Sequence, residues 1–168
     1  SLAAGPLARF LGLPWRSATD SAANTSDAQA ANETQMGLWG CLMAGSTVVI
    51  HAAGWLEGGL SVSYEKLITD IEVLQMIAEL CNAGETAGSD LALDAIADVQ
   101  PSGHFFGTQH TMDRFQTEFY SPLVHDYANH GTWSDRGGET ATERATGIWQ
   151  SILADTPKSY GGDDAQGR

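Results

Sequence analysis

An α/β fold, predominantly helical with two or three short strands, is what this sequence predicts. Three observations carry that expectation. The stretches Ala28 to Gly45, Tyr64 to Asn82 and Thr140 to Ala154 repeat large apolar residues at helical spacing. A short β-branched run, Thr47 to Ile50, reads as a buried strand. That run breaks into HAAGWLEGGL, His51 to Leu60, where a histidine, a tryptophan and a glutamate stand among three glycines. A polar, glycine-loosened turn just past an apolar strand is where α/β enzymes keep their chemistry.

Taken in order, Leu7, Phe10 and Leu11 form a short helical face, stopped by Gly12 and Pro14. Leu13 to Arg16 reads as a brief strand, and Ser17 to Asp27 as a polar loop. Ser26 or Asp27 can cap the next helix, Ala28 to Gly45. Its large residues Met36, Trp39, Leu42 and Met43 are expected in the core, and its many alanines and glycines favour close packing on a neighbour. Ser63 begins the most regular element, Tyr64 to Asn82. There Leu67, Ile71, Leu74, Ala78 and Cys81 trace an apolar stripe, with Glu65, Glu72 and Glu79 toward the other side and Gly84 as the stop. Residues 85–90 read as a loop, Leu91 to Val99 as a short helix ended by Pro101, and Pro101 to Thr111 as a second glycine-bearing aromatic loop. A helix from Thr111 or Met112 to about Tyr120 follows, with Arg114 and Glu118 at i,i+4 spacing. Tyr127 to Gly138 is read as irregular and packed down by Trp133, and Thr140 as the cap of the last helix, marked by Ala145, Ile148, Trp149 and Ile152.

The chain has 168 residues, 42% of them hydrophobic, which suits one domain over residues 1–156 and a frayed tail over 157–168. It carries 8 Lys and Arg against 21 Asp and Glu, a net charge of −13. That balance excludes nucleic acid and an anionic membrane as natural partners. It suits a cationic substrate or basic partner, though it is also what an acidic surface alone would give. Cys41 and Cys81 lie in helical stretches and are expected as buried, reduced thiols, since no paired spacing points to zinc or a disulfide. No signal peptide and no apolar run of membrane-spanning length is visible, so a cytoplasmic location is expected. The opening at Ser1, inside what reads as a helix, is expected of a piece of a longer protein.

Of the five histidines, His51, His104 and His110 lie in loops of catalytic composition, while His125 and His130 read as surface residues. H-E-x-x-H, G-x-S-x-G and a phosphate-cradling glycine fingerprint are all missing from the sequence. His51 with Glu57 is the leading constellation. Trp55 would supply a π-face and Glu57 a counter-charge for a methylated ammonium ion. The competing reading makes Trp55 buried scaffold and Glu57 a solvated loop residue.

Together, GLPWRS (12–17), SDAQAANE (26–33), HAAGWLEGGLSVSYEKLITDIEVLQMI (51–77), PSGHFFGTQHT (101–111) and ERATGIWQSIL (143–153) resemble the trimethylamine methyltransferase family, in its branch without pyrrolysine. The resemblance implies the carboxyl-terminal part of a (β/α)8 TIM-type barrel. A complete barrel needs about 250 residues, so this chain would not close eight strands alone, would be inactive in isolation and would pair with another copy as a homo-oligomer. It also implies transfer of a methyl group from a small methylated amine to the cobalt(I) of a corrinoid (cobalamin) carried by a partner protein, with no cofactor or metal bound directly. The family's pyrrolysine position falls at about Asp20, which points away from trimethylamine and toward quaternary amines such as glycine betaine. On this reading His51, Glu57 and Asp20 are the catalytic candidates, and Trp55, His104 and His110 the substrate-binding ones. Two alternatives stand beside it: a non-catalytic binding or assembly module with the same fold, and a metal-dependent hydrolase using His51, His104 and His110.

Overall fold

The structure is a computed structural model that describes residues 1–82, 84 and 91–156. The expected loop 85–90 and the expected tail 157–168 lie outside the described residues. In chain order the elements are α1 Ala4–Phe10, β1 Arg16–Ala18, α2 Ala28–Ala44, β2 Val48–Ile50, β3 Trp55–Leu56, β4 Ser61–Val62, α3 Tyr64–Cys81, α4 Leu93–Asp98, α5 Gln109–Arg114, α6 His130–Asp135 and α7 Ala141–Asp155. The α/β, mostly helical character agrees with the sequence reading. None of the described helices is long and apolar enough to cross a membrane. The chain divides into two compact units, Ser1–Leu74 together with the chain from Leu123, and Gln75–Pro122.

In the first unit, β1, α2 and β2 form a β-α-β unit. The two strands run parallel, with Arg16 opposite Val48 and Ala18 opposite Ile50. Asp27 caps α2 as expected, its Oδ1 accepting from the Gln29 and Ala30 amides at 2.9 and 3.2 Å. Gly45, at φ 64°, ends the helix with its amide on the last-turn carbonyls. The first strand lies at Arg16–Ala18 rather than Leu13–Arg16, because its partner is set by the register with β2. The β2 strand is not buried as expected: Val48 is 52% exposed, since only β1 pairs with it among the described residues.

The face that α2 buries is not the expected one. Met36 and Met43 are each 64% exposed, while Ala30, Thr34, Leu38, Cys41 and Ala44 are buried. Close approach through small residues explains the choice. A Cβ added at Gly5 of α1 would lie 2.1 Å from the Ala44 carbonyl oxygen. Helix α1 likewise turns Gly5 and Ala8 inward and leaves Leu7, Phe10 and Leu11 exposed.

Helix α3 departs furthest from the expected pattern. Its buried residues are Lys66, Ile68, Asp70 and Glu72, while Leu67 is 38% exposed. Glu72 points inward because the backbone amides of Val124 and His125 donate to its Oε2. Ile68 packs with Val124 and Ala145, and Ile148 and Trp149 of α7 close over them. Thr140 caps α7 through a reciprocal box with Glu143, as its position predicts. The stretch 127–138, read as irregular, contains α6 because Asn129 caps it. Trp133 does pack this segment, donating from Nε1 to the Glu139 carbonyl at 2.9 Å. Both cysteines are free thiols, but Cys81 is exposed rather than buried because α3 presents its last turn to solvent.

The second unit holds α4, the 3-10 turn Phe105–Gly107, and α5. Thr108 accepts from the Thr111 amide and so starts α5 at Gln109, two or three residues earlier than expected. The helix ends at Arg114, so Glu118 lies beyond it and the expected i,i+4 pair does not share a helical face.

Candidate active site

In open or closed parallel sheets, ligands sit beyond the carboxyl ends of the strands. Two of the expected site residues occupy those places here. Asp20 follows the end of β1 by two residues, and His51 follows β2 directly. Their side chains meet, with His51 Nδ1 3.6 Å from Asp20 Oδ1, and are 40% and 31% exposed respectively. The indole of Trp55, on β3, lies against the imidazole with ring centroids 4.7 Å apart and planes tilted by 44°. An acid, an imidazole and an indole thus form one partly open cluster.

The backbone around the cluster is tightly specified. One oxygen of Glu33, on α2, accepts from Ser21 Oγ at 2.7 Å and from the amides of Ala22 and Ala23 at 2.8 and 3.2 Å. Gln29 donates to its other oxygen at 2.9 Å. These donors, Ser21 foremost, hold the Glu33 carboxyl below its ordinary value. The β3–β4 hairpin docks on the loop so held: the Gly58 amide donates to the Ser21 carbonyl at 2.8 Å and the Glu57 amide to that of Ala23 at 3.0 Å. His51 and Glu57 adopt φ of 54° and 52°, a left-handed conformation that non-glycine residues seldom take and that collects at ligand-binding sites.

Behind the hairpin lies a buried ion pair. Lys66 Nζ donates to both oxygens of Asp70, at 2.5 and 2.6 Å, and to Thr34 Oγ1 at 2.6 Å. Asp70 Oδ2 in turn accepts from the Gly54 amide at 2.8 Å. Burial pushes the Asp70 carboxyl up, while the bonds from Lys66 and Gly54 pull it the other way. Gly54 sits at φ 84°, and a Cβ there would lie 3.3 Å from Leu67 Cβ. Gly54→Ala is therefore expected to destabilise the protein by about 1–3 kcal/mol, read from urea unfolding.

Glu57 stands at the hairpin tip with an exposed side chain, which makes no hydrogen bond or ion pair among the described residues. Trp55 also lines an apolar groove with Val62, Tyr64 and Leu67. Tyr64 stacks on Trp149 at 5.1 Å, and Trp149 Nε1 donates to Glu65 Oε1 at 2.7 Å. Hydrogen bonds from Ser63, its own backbone and Trp149 hold the Glu65 carboxyl below its ordinary 4.5. A carboxyl lowered by folding adds stability that is complete above its unfolded value and lost as pH falls through the folded one. Stability is expected to fall as pH drops below about 4.5, and Glu65→Gln should flatten that dependence in unfolding curves taken between neutral and acid pH.

His104 and His110 belong to the second unit. The His104 ring lies 5.2 Å from that of Phe106. His110 shares a cleft with Arg114 on α5 and with Asp94 and Asp98 on α4. The structure thus gathers Asp20, His51 and Trp55, keeps Glu57 on the same hairpin, and places His104 and His110 in the other unit. Among the described residues, no group of three or more His, Cys, Asp or Glu side chains is placed to hold a metal ion. Sequence reasoning passed over Glu33, Lys66 and Asp70. The available signal was spacing: Gln29 with Glu33, and Lys66 with Asp70, stand four apart on a helix.

Comparison with known proteins agrees with the sequence resemblance. Residues 1–164 match the family model described as trimethylamine methyltransferase. The chain is 38% identical over 155 residues to a glycine betaine methyltransferase of Desulfitobacterium hafniense strain Y51, covering 90% of this chain and 32% of that protein. It is 30% identical over 148 residues to the trimethylamine methyltransferase MttB of D. hafniense strain DSM 10664 / DCB-2, covering 88% and 29%. It is also 30% identical over 155 residues to the trimethylamine methyltransferase MttB2 of Methanosarcina mazei, covering 91% and 31%. The chain spans about a third of the length of these relatives.

Proposed function

The chain belongs to the trimethylamine methyltransferase family, and from that premise we propose that the protein of which it forms part moves a methyl group from a quaternary methylamine to the cobalt(I) of a corrinoid carried by a partner protein. The observation that carries this reading is the Asp20, His51 and Trp55 cluster beyond two parallel strands. It brings an aromatic face and a carboxylate together, and the family resemblance puts the pyrrolysine position at about Asp20. The higher identity to a glycine betaine enzyme than to two trimethylamine enzymes points the same way.

The chemistry explains why an acid could stand where an amine-activating residue would otherwise be needed. In methyl transfer the cobalt(I) electron pair forms the new bond to carbon while the C–N pair withdraws to nitrogen. A quaternary nitrogen leaves as a neutral tertiary amine and needs no proton. A neutral tertiary amine must first be protonated or bound covalently. The protein's task is then to hold and orient a permanent cation, which Trp55 does through its π-face and Asp20 through its charge. His51, held between them, can donate to a carboxylate on the donor; His110, in the other unit, is proposed as a substrate-binding residue. Glu57, from the hairpin tip, adds negative potential at the approach, and His104, in the other unit, is proposed as a further substrate-binding residue.

As part of the same reading, residues 1–156 form a partial (β/α)8 barrel domain acting in the cytoplasm. The exposed apolar side chains Leu7, Phe10, Met36 and Met43 offer a surface for a second copy. The test is methylation of a reduced corrinoid protein by the full-length enzyme, with betaine, carnitine, choline, proline betaine and trimethylamine as donors. Transfer from a quaternary donor is the expected result. Binding of such a donor without transfer would favour a non-catalytic module.

A further inference from the structure

We infer that Lys66 and Asp70 are positioning residues for the methyl-donor site, holding the Trp55 indole in place through the Gly54 amide. The inference rests on the proposed function for its effect on the donor, but its structural half stands on geometry alone.

Trp55 is preceded by Gly54, whose left-handed backbone is open to many conformations in the absence of an anchor. The anchor is the hydrogen bond from its amide to Asp70 Oδ2, made in a buried environment. Asp70 is only 2% exposed and Lys66 only 1%. Buried charge is costly, and a helix needs no ion pair here to stay helical. An apolar pair would fill this space as well, but it could not accept the Gly54 amide. Lys66 also reaches Thr34 of α2, the helix whose Glu33 pins the loop next to Asp20. Lys66 and Asp70 together thereby link α2, whose Glu33 pins the loop next to Asp20, to Gly54, which precedes Trp55. The hairpin is only two residue pairs long, Trp55 with Val62 and Leu56 with Ser61, too short to hold its own register.

Two charge-free pairs of similar volume separate positioning from stability, both made in the full-length protein. In Lys66→Met with Asp70→Asn, the Asn carbonyl still accepts from Gly54. In Lys66→Met with Asp70→Leu, the side chain offers the Gly54 amide no acceptor. Hydrogen exchange of the segment 52–57 is expected to stay slow in the Asn pair and to rise at least tenfold in the Leu pair. KM for glycine betaine is expected to rise about tenfold in the Leu pair alone, with kcat and the KM for the corrinoid protein little changed. Equal exchange in the two pairs would overturn the anchor. Faster exchange with an unchanged donor KM would overturn its role in positioning Trp55 for the donor. If the parent enzyme transfers no methyl group from any quaternary amine, the functional reading falls together with the donor effect, and the exchange comparison still decides whether the pair holds the hairpin.

Discussion

Lys66→Met should destabilise the full-length protein by about 3–5 kcal/mol, the cost of leaving one buried charge without its partner. Asp70 would keep the Gly54 amide but lose an ammonium group that contacts both its oxygens. Restoring neutrality through Asp70→Asn in the same chain should recover most of that loss, since the cost lies in the uncompensated carboxylate rather than in missing attraction. Urea unfolding of the parent, the two single variants and the double variant measures the coupling. A loss under about 1 kcal/mol for Lys66→Met would mean that the pair is solvated in solution, as exposed ion pairs are.

The second large effect concerns the donor. Trp55→Ala should raise KM for a quaternary amine about 30-fold, equivalent to about 2 kcal/mol for a cation–π contact in a desolvated site. KM for the corrinoid protein should change little, because the indole is assigned to the amine. Two comparisons sharpen the assignment. Trp55→Phe keeps a π-face and should recover part of the loss. Trp149→Ala removes an indole of similar size that stacks on Tyr64 instead of His51, and should act on stability rather than on donor KM. Equal donor KM in Trp55→Ala and the parent would remove Trp55 from the site.

Much of the frame was legible in the sequence because local rules dominate there. Asp27 and Thr140 cap their helices as their positions predict, and α2 and α3 end within a residue of where the periodicity places them. What periodicity could not supply was the direction each helix faces. The Met and Trp side chains of α2 are expected inside on hydrophobicity, but Met36 and Met43 are exposed. The structure chooses Ala30 and Ala44, since small residues let the backbones approach. On α3 the difference runs the other way. Glu72 reads as facing away from the apolar stripe, and the pattern says nothing of Lys66 and Asp70, yet all three are buried. Their partners come from Thr34, Gly54, Val124 and His125, far away in sequence. The β3–β4 hairpin was read as a glycine turn, since two-residue strands leave no alternating pattern to detect.

The candidate site was legible where composition marked it. His51 and Trp55 stand out in a glycine-rich turn, and the family resemblance points to about Asp20. Their meeting depends on strand register: pairing Ala18 with Ile50 brings the residues after both strands together. Glu33, which clamps the Asp20 loop, carried no chemical motif and reads in sequence as one more acidic residue on a helix.

The most direct test of the central claim, that this face recognises a permanently positive methyl donor, is a donor competition with the full-length enzyme and its reduced corrinoid protein. Glycine betaine and trimethylamine would be supplied at equal concentration, and the formation of dimethylglycine and dimethylamine measured together. Dimethylglycine is expected in large excess, with the excess reduced in Asp20→Asn. Comparable yields of both products, or dimethylamine alone, would contradict it.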